Sequence, residues 1–251
     1  MKLGHSALSE AMRAPICAKL YSKHWTIKKL CHQNVMLQSF SPIILGASVV
    51  FIYQVSQAVV AKRPSTATFL KIIAPFVAIP SLLQIPFSQI YDFLSRDPEL
   101  VIHHYEIWRV VTATFVQSSG LIGTLVNLAM LAMVAHFADK VWGWRWSLAF
   151  FLTAGTLLNI SGVIFDSAGA GSSGATIALG MSIVGAYLVQ RLPRQALAAA
   201  LAALAIAVFL SLIGNAHGYA MLAGTAIGAI FYRYSKLETL DITHGHSRDN
   251  N

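Results

Sequence analysis

Ser173 stands between two glycines at the end of a glycine-rich stretch, Gly169-Ala170-Gly171-Ser172-Ser173-Gly174, that runs straight into an apolar segment. Small neighbours leave room for a substrate backbone beside the hydroxyl. The first turn of a helix also offers unpaired N–H groups to a developing negative charge. A serine hydroxyl is a weak nucleophile at neutral pH and needs a base. His217, at the head of a later apolar segment, is the candidate base, and Asn127, inside another, is a third polar candidate. Polar groups within a bilayer are costly and are functional candidates for that reason. The serine and the histidine also have ordinary roles when read alone: a loop entering a membrane helix, and a capped, interfacial residue. No carboxylate adjoins them, because Asp139 falls on the far side and Asp166 lies in a loop. The expected chemistry is therefore a Ser–His dyad, with no cofactor and no metal.

The elements that must position these residues are membrane helices. The chain has 251 residues, of which 56% are hydrophobic and 11% charged, too apolar for an ordinary soluble domain. From Val110 to Tyr232 the acidic residues are Asp139 and Asp166, and the basic ones Lys140, Arg145, Arg191 and Arg194. Apolar runs near the length of a span fall at Gly120–Ala138, Ser147–Phe165, Ser173–Gln190, Gln195–Ile213 and His217–Tyr232. Another, Phe69–Ile90, is interrupted by Pro75, Pro80 and Pro86 and is expected to be a kinked span. The fold class is thus an all-α polytopic bundle, with a six-helix core over residues 68–234 and one extra apolar helix over residues 41–62. Tyr91–Arg109 is expected to be a polar loop with short interfacial helices, and Trp142, Trp144 and Trp146 to be interfacial anchors. Residues 235–251 are expected to be a disordered polar tail.

The net charge of +8 comes from basic loops and a basic arm over residues 1–40, so nucleic acid is not an expected partner. That arm reads equally as an organellar transit peptide or a cytosolic tail. Alternating spans put Lys140/Arg145, Arg191/Arg194 and Arg233/Lys236 on one side, which the positive-inside rule assigns to the cytosol or its equivalent. Ser173 and His217 then share the outer depth. A spanning segment at Pro42–Ala61 would place the basic arm outside, against that rule, unless the segment is re-entrant or interfacial. Ala220, Gly224 and Gly228 recur every four residues after His217, and Gly174, Ala178 and Gly185 offer a matching face on the serine helix.

These residues, taken in order, resemble the rhomboid family of intramembrane serine proteases. Trp108-Arg109-x-x-Thr112-x-x-Phe115 is similar to its Trp-Arg loop signature, and Asn127 to its second-helix asparagine. Asp139 followed by Gly143 and Arg145 is similar to its acidic-Gly-basic helix end. Gly171-x-Ser173-Gly174 matches its GxSG motif, and His217 with Gly224 and Gly228 its histidine helix. The resemblance covers about residues 70–233. It departs at Gly123 and Gln117, where the family carries histidines, and at Ala220, where it carries glycine. Loss of one oxyanion donor typically costs about a hundred- to a thousandfold in rate. A histidine restored at 123 would raise the rate if the position has room.

Two functions follow from the resemblance. One is an intramembrane endopeptidase, with Ser173 as nucleophile, His217 as base and Asn127 as oxyanion donor, acting on transmembrane protein substrates. The other is a catalytically silent, derlin-like protein that binds membrane clients in quality control or trafficking. The lipid bilayer is a partner in both. The compartment is the endomembrane system, or the mitochondrial inner membrane if the arm is a transit peptide. A transporter has little support, since neither an internal repeat nor a charged midplane site is visible. If the dyad operates, its histidine must be neutral to accept the serine proton. With an ordinary pKa near 6.5, cleavage should rise with pH through that region, as a pH–rate profile would show.

Overall fold

A backbone placed in hydrocarbon must satisfy its own hydrogen bonds, and apolar runs lacking strand-like alternation do so as helices. The computed structural model describes residues 41–60, 67–190 and 196–245, with side chains over 43–59, 67–190 and 196–234. The basic arm with its targeting reading, Lys62, Arg63, Arg191 and Arg194 lie outside the described residues. Among those described, ten helices occur and no strand. They are α1 (Ser41–Val60), α2 (Thr68–Leu83), α3 (Ser88–Leu94), α4 (Pro98–His103) and α5 (Arg109–Thr112), then α6 (Gly120–Trp142), α7 (Trp144–Ile164), α8 (Ser173–Val189), α9 (Leu197–Leu212) and α10 (Ala216–Gly245). The chain divides into two compact units, residues 1–46 and 47–251. The opening turns of α1 belong to the first unit, and the helical bundle with its polar site belongs to the second.

Six long helices after α1 match the expected core. α6 and α7 are long and apolar enough to cross a membrane, and α1, α2, α8 and α9 contribute shorter apolar helices. The seventeen residues of α8 lie at the short end of what spans a hydrocarbon core. Large apolar side chains also cover the outside of the bundle, among them Ile122 on α6, Ile164 on α7 and Leu212 on α9. Such an exterior suits lipid rather than water.

Four expectations need correction. The span placed at Phe69–Ile90 ends at Leu83. Pro75 and Pro80 are absorbed inside α2, whereas Pro86 follows its end; Phe87 N–H still reaches the Leu83 carbonyl at 3.1 Å, and the chain leaves helical geometry at Phe87, with φ −124° and ψ 82°. Trp142 is no interfacial anchor. It is 8% exposed, donates from Nε1 to Ser182 Oγ at 2.9 Å, and packs edge-on against Phe150 and Phe231. Trp144 and Trp146 do face outward. The third concerns helix ends: α6 runs on to Trp142 and α7 starts at Trp144, because Gly143 adopts φ 75° and reverses the chain between them. The fourth is the tail, whose backbone stays helical to Gly245. No glycine or proline interrupts residues 229–244, so a helix already nucleated in the bundle propagates through them.

The bundle is built around α8. Every residue from Gly174 to Tyr187 is buried, as expected of a helix apolar on all sides. α6, α7, α9 and α10 pack around it, and Ile52 of α1 lies against Gly180. The closest approach is to α10. A Cβ on Gly224 would overlap the backbone of Ala178, one on Gly228 the backbone of Ser182, and one on Gly185 the backbone of Thr225. Gly174, expected on the same face, instead meets Leu158 of α7. Because the facing atoms are backbone, they cannot swing aside. Gly228→Ala should therefore cost at least about 1 kcal/mol and Gly228→Leu about 3 kcal/mol, read as a lower thermal midpoint in detergent.

Candidate functional site

The chain between Phe165 and Ser173 is short and polar, and it is suspended from two separate segments. Arg96 and Gly169 exchange backbone hydrogen bonds, N–H to carbonyl at 2.9 Å one way and 3.0 Å the other. Gly169, at φ 148°, occupies a region that other residues rarely enter. Gly171 N–H donates to the Ala113 carbonyl at 2.9 Å, and Ser118 Oγ donates to the Ala170 carbonyl at 3.0 Å. The Arg96 guanidinium donates to the Ser167 carbonyl at 2.6 Å and to Asn159 Oδ1 at 2.8 Å, both neutral acceptors. Burial pulls its pKa below the ordinary arginine value, partly opposed by Tyr91. Asn159 in turn donates to Thr114 Oγ1 at 3.1 Å. The serine loop is thus held by both the loop after α3 and the segment after α5.

That second segment is itself braced by the Trp-Arg stretch. Arg109 is 4% exposed, pairs with Glu106 at 2.5 Å, and donates to the carbonyls of Asp92 and Ser95 at 2.6 and 2.8 Å. Thr112 Oγ1 donates to the Leu94 carbonyl at 2.9 Å. Asp139, on α6, accepts the Thr68 N–H at 3.0 Å and so satisfies the start of α2.

At the head of α8, Ser173 Oγ lies 3.0 Å from His217 Nε2. The other side of the imidazole is also engaged. Nδ1 lies 3.1 Å from Asn215 Oδ1, and the same oxygen accepts the His217 backbone N–H at 2.9 Å. Ser173, Gly171, Arg96, Asn159, His217 and Tyr219 share the wall of a cavity of about 850 Å³, and among the described residues no carboxylate lines it. By helix geometry the Ser173 N–H has no intrahelical acceptor. A serine hydroxyl, an imidazole engaged on both nitrogens, and an open helix N-terminus therefore meet at one cavity.

Asn127 reaches this place indirectly. Its Nδ2 donates to Gln117 Oε1 at 2.8 Å, and Gln117 Nε2 donates to Ser172 Oγ at 2.9 Å. Gln117 is buried, and its backbone is clamped by the Gln84 amide through bonds of 2.7 and 3.1 Å. A Cβ added to Gly171 would sit 3.5 Å from Gln117 Oε1 and 3.6 Å from Ser173 Oγ, so this glycine keeps the space between them open. Each primary amide has two N–H groups, so Asn127 and Gln117 each retain a donor beyond the bond just described.

Two residues of the site escape a reading of the sequence. Asn215 carries a signal, as an N-cap-type residue immediately before the histidine helix. Gln117 reads as a lost histidine, whereas its amide couples Asn127 to the serine loop. The suggested histidine at Gly123 also needs correction. A Cβ there would overlap the Ser119 side chain one turn earlier, so the position has no room unless Ser119 moves. Gln117→Ala would strand the polar atoms of Asn127 and Ser172. It should lower stability by about 1–3 kcal/mol, seen as a lower unfolding midpoint.

No curated protein matches the chain significantly. A protein family described as "Eukaryotic integral membrane protein (DUF1751)" does match, over residues 43–191. This range takes in α1 to α8, including the Trp-Arg stretch, Gln117, Asn127 and the Ser173 loop, and stops before His217. With more than half of the chain matched and an exterior suited to lipid, the protein is an integral membrane protein and belongs to this family.

Proposed function

We propose that the protein is a multi-pass intramembrane serine endopeptidase of the rhomboid type. The observation that carries this reading is the 3.0 Å approach of Ser173 Oγ to His217 Nε2 at a polar cavity. Ser173 Oγ attacks the scissile carbonyl while its proton passes to Nε2. The oxygen of that carbonyl becomes an oxyanion, met by the Ser173 N–H and by the amide donor that Asn127 retains, with Gln117 holding the Asn127 side chain in place. Collapse expels the amine, which takes the proton back from the imidazolium. A water molecule then repeats the sequence on the acyl-enzyme, releasing the acid and restoring Ser173.

The substrate class follows from the surroundings. An apolar groove of about 430 Å³ between α7 and α10, floored by α8, shares Leu158, Ser161 and Tyr219 with the cavity wall. An apolar segment of a transmembrane protein lying there would present its flanking backbone to Ser173. The same groove serves the second reading, a silent client-binding protein, which Gly123 in place of a histidine favours.

Purified protein in proteoliposomes with a model transmembrane substrate decides between them. Ser173→Ala and His217→Ala should each reduce cleavage by at least about a thousandfold, and almost equally, because the two groups act as one unit. Asn127→Ala should cost about a hundredfold or less. A serine-directed phosphonate should label the wild type and not Ser173→Ala. Equal cleavage by wild type and Ser173→Ala, with no labelling, removes the protease reading in favour of client binding.

A further inference from the structure

We infer that Asn215 is a positioning residue that fixes both the tautomer and the orientation of the His217 ring, so that the reacting unit is Ser173–His217–Asn215 rather than a dyad. The inference rests on the protease reading for its kinetic consequence, but its structural content is independent of it.

The assignment follows from donor and acceptor bookkeeping around one atom. The His217 backbone N–H can only donate, so the side-chain atom of Asn215 that faces it at 2.9 Å is the amide oxygen. An amide oxygen can only accept. The ring nitrogen that lies 3.1 Å from the same oxygen must therefore carry a proton. A neutral imidazole protonated at Nδ1 has its lone pair on Nε2, and Nε2 is the atom 3.0 Å from Ser173 Oγ. The ring is thereby presented as an acceptor to the serine hydroxyl. The opposite tautomer would put two acceptors face to face at Asn215 and leave Nε2 unable to take the serine proton.

Asn215 is itself held firmly. Gly214 turns with φ 74°, Asn215 N–H donates to the Leu210 carbonyl at 2.9 Å, and Gly218 N–H donates back to the Asn215 carbonyl at 3.0 Å. Its side chain thus caps α10 and orients the ring through a single oxygen, from a backbone anchored on the end of α9. A carboxamide does this without placing a second ion at the edge of a bilayer, where an uncompensated carboxylate would be costly. Cysteine proteases that use a Cys–His–Asn set show that an amide can serve as the third member.

The test separates capping from positioning. Asn215→Ser retains a short capping oxygen for the α10 N–H but cannot reach Nδ1. Asn215→Asp retains both contacts, and Asn215→Ala retains neither. Asn215→Ser should unfold close to the wild-type midpoint and yet lose about ten- to a hundredfold in kcat, with KM nearly unchanged. Asn215→Asp should recover most of that kcat. Nitrogen-15 NMR of histidine-labelled protein, with the His217 signals identified by their absence in His217→Ala, should show Nδ1 protonated in the wild type. In Asn215→Ser the tautomers should be mixed. Wild-type kcat in Asn215→Ser, or a wild-type ring protonated at Nε2, overturns the inference while leaving the protease reading intact. A wild type no more active than Ser173→Ala removes that reading instead, and the NMR measurement still decides the tautomer.

Discussion

The structure depends on how closely α8 and α10 can lie together. Three glycines, Gly185, Gly224 and Gly228, bring backbone against backbone along the contact, and without a hydrophobic drive between helices in lipid such packing is a main source of adhesion. Its value here is one of register as much as strength. Each glycine meets one particular residue of the other helix, so the two cannot slide by a turn without collision. Ser173 at the head of one helix and His217 near the head of the other are carried to hydrogen-bonding distance by contacts deeper in the bundle. The central position of α8, buried from Gly174 to Tyr187, makes it the fixed reference for the remaining helices.

Around that rigid pair, the serine loop is tied down by neutral hydrogen bonds rather than by ion pairs. The backbone exchange at Arg96 and Gly169 and the bond from Gly171 to Ala113 hold the chain itself. The Gln117–Ser172 bond holds a side chain beside the nucleophile. Arg96 is the exception in charge, but its partners near the loop are a carbonyl and an amide. Such a network is demanding, since every member left unpaired carries a desolvation cost. In return it pre-organises the loop before any substrate arrives.

Much of this is legible in the sequence, for definable reasons. Apolar runs of spanning length locate α6 to α9 to within a few residues, and the four-residue spacing of Gly224 and Gly228 points to the face that meets α8. Proximity of Ser173 and His217 follows from their equal depth only together with that contact. Periodicity says nothing, however, about which polar side chains pair across distant segments. Gln117 and Ser172 are fifty-five positions apart, and their bond exists because two loops cross. Trp142 misleads for a related reason: a tryptophan at a helix junction suits an interface or a core equally, and here Ser182 supplies a buried partner. Asn215 is nearer to hand, as a cap two residues before the histidine, but the reach of its oxygen to the ring is a matter of side-chain geometry.

The crowding of Gly123 by Ser119 also ties two positions together. The first atom of any side chain added at 123 would strike Ser119, so a larger residue is admitted there only if the start of α6 rearranges. Changes at the two positions are therefore not additive, and the cost of one depends on which residue occupies the other. Position 123 can be varied freely only as half of a pair.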